Sequence, residues 1–383
     1  MYIHCIAFIY CSANKYMIPN IEAQNELISA FRRTLESLPS LGVAELRHHV
    51  RLDGGNSRLE ADAILRIEAS GKPITLLVET KSTVYPRDAR QTVWQLRELQ
   101  KALSESEGLN DVLPVLISNS LSEGAKDFLR DERIGYFEEG GSLFLAKGDL
   151  YILLERPSSK KVVRATGAIF SGRRSQVLLA LLQAPRSWIS VKELSDKAFV
   201  STATASQVLA DLEKREWVLS RGSGPHKERQ VQDPRSLLDA WSKHVVQLPR
   251  PRTTRYFVPS LKPEELMQRI NQLCKERAVT YAITGEWAAQ IYSPFLSSIS
   301  QVRCRFPNDQ PMKLLAAELH AREVTEGSNF EVVETKTHGY LLFSEEQRGI
   351  RLANPIVVYL DLLQSGGRAK EMAEHLRRER IAF

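Results

Sequence analysis

Two apolar runs around a turn signal constrain this chain most strongly. The runs occupy residues 59–68 and 74–78, and the residues between them include Gly71 and Pro73. Short apolar runs that are bounded by glycine and proline predict two antiparallel strands joined by a tight hairpin. A hairpin fixes which residues face each other across the strands, so it also fixes which polar side chains can form a site.

Polar residues of this hairpin fall on one face in either of two registers. If the turn is at residues 70–71, Asp62 lies opposite Glu79, and if it is at 71–72, Asp62 lies opposite Lys81. Both registers bring the aspartate onto the face that the other two share, because side chains alternate along a strand. Adjacent carboxylates repel each other, and a hard divalent cation with oxygen ligands relieves the repulsion. The pattern therefore predicts a Mg²⁺ site held by Asp62 and Glu79.

A metal at this position can support phosphodiester cleavage. It polarises a phosphate and lowers the pKa of an attacking water, while Lys81 stabilises developing charge. The pattern resembles the PD-(D/E)XK nuclease superfamily over roughly residues 22–155. The resemblance implies catalytic roles for the two acids, for the lysine and for a glutamine on the following helix, where Gln95 is the first candidate and Gln91 the second. An exposed edge strand that carries glutamate and lysine is the alternative interpretation.

Composition bounds the class of protein. The 383 residues contain 43% hydrophobic and 26% charged residues, as an ordinary soluble protein with two or three domains does. The four cysteines show no metal-ligand spacing, so we expect reduced thiols and a cytoplasmic location. Residues 1–13 are apolar but lack a basic start and are too short to span a bilayer. We expect a disordered or extended segment over 1–20, with translation beginning at Met1 or Met17 and a weak signal peptide as the alternative.

Positive charge is concentrated in the middle of the chain. Residues 158–260 carry 18 lysines and arginines against 8 aspartates and glutamates, whereas the whole chain has a net charge of +6. The rest of the chain is therefore mildly acidic. A basic segment of this kind indicates a module that binds a polyanion.

The same segment has the pattern of a winged helix-turn-helix. An apolar run at 177–182 predicts one helix, Ser190 caps a second over 191–198, and Ser201 caps a third. Val208, Leu209 and Leu212 predict the inner face of that third helix. Two strands around a turn at 222–225 then predict the wing. In such a fold the exposed first turns of the third helix meet base edges in the major groove, and the wing contacts phosphate. The predicted DNA-binding residues are Ser201, Thr202, Thr204, Ser206 and Gln207 on the helix, and Arg221, Lys227 and Arg229 on the wing.

The last segment resembles two kinds of domain. Residues 284–288 are similar to the opening of nucleotidyltransferase-like domains, but the following stretch 300–306 lacks the aspartate pair that such enzymes need for metal. We therefore expect a non-catalytic domain. Together with the winged helix, residues 357–363, Gly367-Arg368 and 373–376 resemble the AbiEi-like antitoxins of type IV toxin–antitoxin systems. That resemblance implies promoter binding and antagonism of a nucleotidyltransferase-type toxin.

The sequence thus predicts a multidomain protein of α/β and α+β class. We expect a restriction-endonuclease-like domain over 21–156, a linker over 157–170, a winged helix over 171–250 and a nucleotidyltransferase-like antitoxin domain without catalytic aspartates over 251–383. The expected function is that of a sequence-specific double-stranded DNA-binding regulator and antitoxin, with a nearby-encoded toxin as partner, a homodimer on symmetric DNA and no membrane association. The alternatives are a Mg²⁺-dependent endonuclease that the winged helix directs to its target, and outer domains that only bind proteins.

Overall fold

The computed structural model describes residues 21–39, 41–54, 57–69, 71–109, 111–156, 167–259, 261–307, 312–335 and 338–383. The chain divides into two compact units, of which the first comprises Met1–Thr166 and Lys214–Glu216 and the second comprises Gly167–Glu213 and Trp217–Phe383. The segment 1–20, which we predicted to be disordered or extended, lies outside the described residues, as does part 157–166 of the predicted linker.

The first unit is built on a seven-stranded mixed sheet with the strands in chain order. The hairpins β1–β2 and β2–β3 are antiparallel, whereas β3, β4 and β5 run parallel. The elements are α1 (Ile21–Glu36), β1 (Leu41–Gly54), β2 (Ser57–Ala69), β3 (Lys72–Val84), α2 (Pro86–Glu107), β4 (Val112–Leu121), α3 (Glu123–Asp131), β5 (Gly135–Glu138), β6 (Leu143–Lys147) and β7 (Leu150–Leu154).

Alternation along β3 gives this sheet a separate apolar core on each face. Leu76 and Val78 pack with α1, where Phe31 is fully buried, and Leu77 packs with α2. Both faces are covered because the central strands are parallel and their connections cross as helices. The two cores therefore hold β2 and β3 in place. The polar residues of the hairpin lie just after the apolar run of β3.

The second unit begins with the winged helix. Its helices are α4 (Gly172–Gln183), α5 (Val191–Ala198), α6 (Thr202–Lys214) and α7 (Pro234–Gln247), and its small sheet has β8 (Ile189–Ser190), β9 (Val218–Arg221) and β10 (Glu228–Val231) in the order β8-β10-β9. The three predicted helices and the hairpin are all present. The predicted linker extends too far, however, because Ala168–Phe170 forms a 3-10 turn whose Phe170 packs against Trp241 of the winged-helix core.

A second seven-stranded mixed sheet follows in the order β14-β11-β15-β13-β12-β17-β16. Its elements are β11 (Thr253–Phe257), α8 (Pro263–Glu276), β12 (Ala282–Thr284), α9 (Gly285–Tyr292), β13 (Val302–Pro307), α10 (Met312–Glu318), β14 (Arg322–Glu323), β15 (Phe330–Thr335), β16 (Glu345–Gln347), β17 (Ile350–Leu352), α11 (Pro355–Ser365) and α12 (Arg368–Leu376). The chain is therefore a mixed α/β protein with two large sheets and a winged helix. The finer nucleotidyltransferase-like assignment stays a prediction.

The winged helix and the following sheet share one apolar core. Polar contacts reinforce this junction: Gln364 Nε2 on α11 donates to the Val245 carbonyl of α7 at 2.9 Å, and Arg377 Nη1 pairs with Asp239 of α7 at 2.6 Å. The winged helix and the C-terminal domain are therefore fastened together through α7.

Candidate functional site

The hairpin of the first unit adopts one of the two predicted registers. Ala69 pairs with Lys72, and the ladder continues to Ala63 opposite Val78. The turn therefore lies between Ala69 and Lys72, with Gly71 in the left-handed region at φ 77° that glycine adopts without strain. Continuing this register by one residue sets Asp62 against Glu79.

Polar contacts gather these residues into one cluster. Thr80 donates to Asp62 Oδ2 from both its backbone N–H and its Oγ1, each at 2.7 Å. Gln95 Nε2 on α2 donates to Glu79 Oε2 at 3.0 Å, as the first-choice glutamine was expected to do. Lys81 is half-buried on the same strand. The structure thus brings together Asp62, Glu79 and Gln95, while their catalytic roles stay predictions.

Electrostatics at Glu79 favour an added positive charge. Its side chain is only 3% exposed, and burial, followed by the charge of Asp62, raises its pKa well above the usual glutamate range, which Lys81 partly offsets. Gln95 satisfies Oε2, but the buried Oε1 has no hydrogen-bond partner among the residues that the structure describes. An oxygen without a partner in such a place loses its hydration without replacement.

These residues fit a magnesium ion. The orphaned oxygen of Glu79 and the carboxylate of Asp62 are hard oxygen donors, and Mg²⁺ commonly takes one or two carboxylates and keeps several waters. Within the described ranges, no group of three or more histidine, cysteine, aspartate and glutamate side chains could hold a metal. The protein would therefore supply two carboxylates, and water or substrate oxygens would complete the shell.

The helix-turn-helix of the second unit is set by local capping. Ser190 Oγ accepts from the Glu193 N–H at 3.2 Å and starts α5, and Ser201 Oγ accepts from the Thr204 N–H at 3.2 Å and starts α6. Between them Phe199 ends α5 in the left-handed region at φ 52°. The inner face of α6 is then buried as predicted, at Val208, Leu209 and Leu212.

On the opposite face of α6, some polar side chains cap the start of the helix and others are exposed to solvent. Thr202, Ser206 and Gln207 are exposed, whereas Thr204 is half-buried. The Ser201 hydroxyl bonds to Thr204 Oγ1 at 3.0 Å, so these two hydroxyls are engaged within the helix start. Arg174 of α4, which sequence reasoning missed, extends this surface because its Nη2 lies 3.4 Å from Gln207 Oε1.

The wing is organised by Glu213 at the end of α6. Its carboxylate accepts from Ser220 Oγ at 2.7 Å and pairs with Lys227 Nζ at 2.8 Å and Arg229 Nε at 2.9 Å. Burial acts to raise the pKa of Glu213, but these hydrogen bonds and charges prevail and bring it to about 2. The carboxylate therefore stays ionised and fastens both wing strands to the helix.

This arrangement corrects the prediction for Arg229. The residue is only 8% exposed and its guanidinium is committed to Glu213, so the structure gives it a role inside the wing and not on the DNA-facing surface. Arg221, by contrast, lies on the surface: its side chain is 55% exposed, pairs with Glu228 at 2.7 Å and stacks on Trp188 with 4.4 Å to the ring centroid. Lys227 is partly exposed but shares Glu213.

The second unit is therefore a winged helix with an exposed polar helix face and a supported wing, fastened to a C-terminal domain. Comparison with protein families agrees: residues 170–230 match the MarR family, and residues 230–382 match the family described as transcriptional regulator, AbiEi antitoxin, Type IV TA system. The resemblance to AbiEi-like antitoxins that the sequence indicated is confirmed over these segments.

Solved structures similar to this chain are endonucleases. A repair endonuclease from Pyrococcus abyssi is 21% identical over 30% of this chain and 46% of that chain, with a TM-score of 0.23. EndoMS in its apo form is 18% identical over 31% of this chain and 45% of that chain, with a TM-score of 0.21. Less than half of each relative is covered, and likenesses this weak assign neither fold nor activity. No curated protein matches the chain.

The part of the chain that the structure describes contains no helix long and apolar enough to cross a bilayer.

Proposed function

We propose that this protein reads a specific duplex DNA sequence with α6 and represses its own promoter as the antitoxin of a type IV system. The first turns of α6 enter the major groove, where Gln207 and the exposed hydroxyls of Thr202 and Ser206 meet base edges. Arg221 on the wing and the N–H groups at the start of α6 contact phosphate. Two copies would occupy a symmetric operator, and the C-terminal domain would counter a nucleotidyltransferase-like toxin encoded nearby.

The observation that carries this proposal is the division of α6 into two faces. Val208, Leu209 and Leu212 are fully buried, whereas Thr202, Ser206 and Gln207 project from the other side without being covered by the rest of the second unit. Exposed hydrogen-bonding groups in the first turns of this helix are what base reading in the major groove requires. The family matches on both sides of residue 230 support the same assignment.

Replacing Gln207 by alanine tests the base-reading role. An amide that bonds a base in two places contributes about 1–3 kcal/mol of discrimination, so affinity for the cognate operator is expected to fall roughly 5- to 150-fold while affinity for unrelated DNA changes little. The measurement is a fluorescence-anisotropy titration against both duplexes. Gln268→Ala is the matched control, because Gln268 is an exposed residue of α8 in the same unit. An equal loss on both duplexes would contradict base reading.

A variant that loses promoter repression but keeps toxin antagonism tests the antitoxin role. Toxin antagonism is assigned to the C-terminal domain, so Gln207→Ala is expected to lose repression of the promoter while it still rescues growth of cells that express the neighbouring toxin gene. Growth rescue and promoter activity are measured in the same strain. Loss of rescue together with repression, at an unchanged protein level, would place antagonism on the DNA-binding face.

Metal-dependent cleavage is a second candidate function, favoured by the Asp62, Glu79 and Gln95 cluster and its orphaned oxygen. A bound Mg²⁺ would supply charge for the phosphate and a water of lowered pKa. The chain's own groups would act around it: the two acids hold the metal, Gln95 orients Glu79, and Lys81 stabilises charge on the phosphate. Alternatively this domain only assists in engaging DNA.

A cleavage assay with purified protein and Mg²⁺ or Mn²⁺ distinguishes these two roles. Asp62→Asn, Glu79→Gln and Lys81→Ala are each expected to abolish cleavage and retain duplex binding, whereas Gln95→Ala is expected to lower the rate by about 10- to 100-fold, as loss of a group that orients a metal ligand does. Glu68→Gln is the control, since Glu68 is exposed on the same strand as Asp62. Wild-type protein that cuts no substrate would remove the nuclease proposal and leave the regulator.

A further inference from the structure

A cleft lined by arginines opens at the junction of the winged helix and the C-terminal sheet. Its cavity of about 90 Å³ is bordered by Arg250, Arg255, Arg303 and Arg305, with Glu331 and Asp361 on its floor. Neither the DNA-reading helix nor the hairpin of the first unit contributes to it. Four guanidinium groups against two carboxylates leave the cleft positively charged, because arginine stays protonated in proteins.

Strand register places part of this charge in one row. Glu331 on β15 lies between Arg255 on β11 and Arg303 on β13 in the register of the sheet. Its carboxylate accepts from Arg255 Nε at 3.3 Å and from Arg303 Nε at 2.8 Å. Glu331 is only 4% exposed, so one buried acid orients two guanidiniums and neutralises one.

The acidic residue Asp361 on the floor of the cleft already has hydrogen-bond donors from the protein. Asp361 on α11 accepts from Arg305 Nε at 2.8 Å and from a second nitrogen of the same guanidinium, and also from Thr284 Oγ1. Arg303 Nη1 donates to Ser365 Oγ at 2.7 Å. Both carboxylates are therefore saturated by donors, and the positive charge left over belongs to the outer arginines.

Those outer arginines have spare donors. The side chain of Arg255 is 55% exposed, and among the described residues its Nη1 reaches only the Thr325 carbonyl, at 3.4 Å. Arg250 is exposed and its Nη2 lies 3.4 Å from the Ser365 carbonyl, at the weak end of hydrogen bonding. Guanidinium forks held in place by buried acids match the oxygens of a phosphoryl group, which they bind in pairs.

The geometry points to a phosphoryl-binding site that bridges the two parts of the second unit. A cavity of about 90 Å³ is large enough to admit a phosphoryl group. Arg250 lies just after α7 of the winged helix, whereas Arg255 belongs to the C-terminal sheet. A phosphoryl group bound by both would join the DNA-binding module to the antitoxin domain, which goes beyond base reading by α6. Its source is a free polyphosphate or nucleoside phosphate, or the backbone of nucleic acid.

Calorimetric titration of the full chain with inorganic pyrophosphate, and separately with ATP, at constant ionic strength tests the site. Saturable binding is expected, and Arg250→Gln with Arg255→Gln is expected to weaken it at least about tenfold, because each lost hydrogen bond is charge-assisted. Arg269→Gln with Arg348→Gln removes the same charge from exposed positions of the same domain outside the cleft. This control is expected to bind as the wild type does, and thermal melting checks that both variants fold.

A parallel titration with duplex DNA distinguishes the sources of the phosphoryl group. If pyrophosphate and ATP do not saturate but the cleft variant loses at least about tenfold more duplex affinity than its control, the group is a backbone phosphate and the site stands. If neither free phosphates nor DNA distinguishes the cleft variant from its control, the arginines form only an internal ion-pair network and the proposal is overturned. Either result is independent of Gln207, so failure here leaves the base-reading proposal intact.

Discussion

Replacing Asp361 by alanine is expected to destabilise the second unit by about 3–5 kcal/mol, because a buried guanidinium would lose its counter-charge. Arg305 is 5% exposed and Asp361 is 7% exposed. The two form a bidentate pair with Arg305 Nε to Asp361 Oδ2 at 2.8 Å, and the guanidinium also lies over the Tyr340 ring at 4.5 Å. Without the carboxylate, Arg305 keeps its charge at a largely buried position that has lost its counter-charge.

Urea unfolding followed by circular dichroism measures this loss. The matched control is Glu346→Ala, which breaks an exposed ion pair with Lys275 in the same domain and is expected to change stability by no more than about 1 kcal/mol. Arg305→Met combined with Asp361→Leu is expected to recover much of the stability, since an apolar pair of similar volume avoids the desolvation cost. A loss for Asp361→Ala as small as that of the control would contradict the assignment of a buried pair.

Replacing Glu213 by alanine is expected to cost roughly 2–4 kcal/mol and to weaken duplex binding at the same time. The carboxylate is the shared acceptor for Ser220, Lys227 and Arg229, and the buried Arg229 would be left without its partner. With the two wing strands no longer fastened to α6, Arg221 loses its fixed position above Trp188. DNA affinity is therefore expected to fall although Glu213 itself carries a charge that DNA repels.

Glu193→Ala is the control for this change. Glu193 pairs with Lys197 at 2.9 Å on the surface of α5, and an exposed pair at this spacing contributes about 0.3–0.5 kcal/mol. Unfolding and operator affinity are measured for both variants. Tighter DNA binding by Glu213→Ala with normal stability would show that charge repulsion, and not support of the wing, is what Glu213 contributes.

The pH dependence of the free energy of unfolding provides a second test of the role of the Glu213 carboxylate. Because folding lowers the pKa of Glu213 from the ordinary 4.5 to about 2, its stabilisation is complete at neutral pH and is lost progressively as pH falls through this interval. Glu213→Gln removes that dependence. The difference in unfolding free energy between wild type and Glu213→Gln is therefore expected to be larger at pH 6 than at pH 3, and an equal difference would contradict the assignment.

Local signals in the sequence were enough to place the helix-turn-helix and the hairpin. Ser190 and Ser201 cap the helices that were predicted from them, because a cap and its helix are neighbours in sequence. The register that sets Asp62 against Glu79 was one of two allowed by the turn chemistry. Gln95 could be chosen over Gln91 as the first candidate, and the contact with Glu79 agrees with that choice.

Ion pairs between residues that are far apart in the sequence could not be predicted. Arg229 is a basic residue in the wing, as a DNA contact would be. Its pairing with Glu213, sixteen residues away on another element, instead buries its guanidinium inside the wing. Asp361 and Arg305 are separated by 56 residues and meet only after the sheet and α11 have packed. The cleft arginines were unpredicted for the same reason, since residues from four elements and a connecting segment converge there. Burial of a charged side chain depends on a partner that periodicity cannot supply.

The salt dependence of operator binding tests the central claim most directly. If the second unit grips duplex DNA through α6 and the wing, the logarithm of affinity falls linearly and steeply with the logarithm of salt concentration. Arg221→Ala is then expected to reduce that slope by about one, whereas Gln207→Ala lowers affinity with the slope unchanged. A flat response to salt, with both variants binding as the wild type does, would contradict the account.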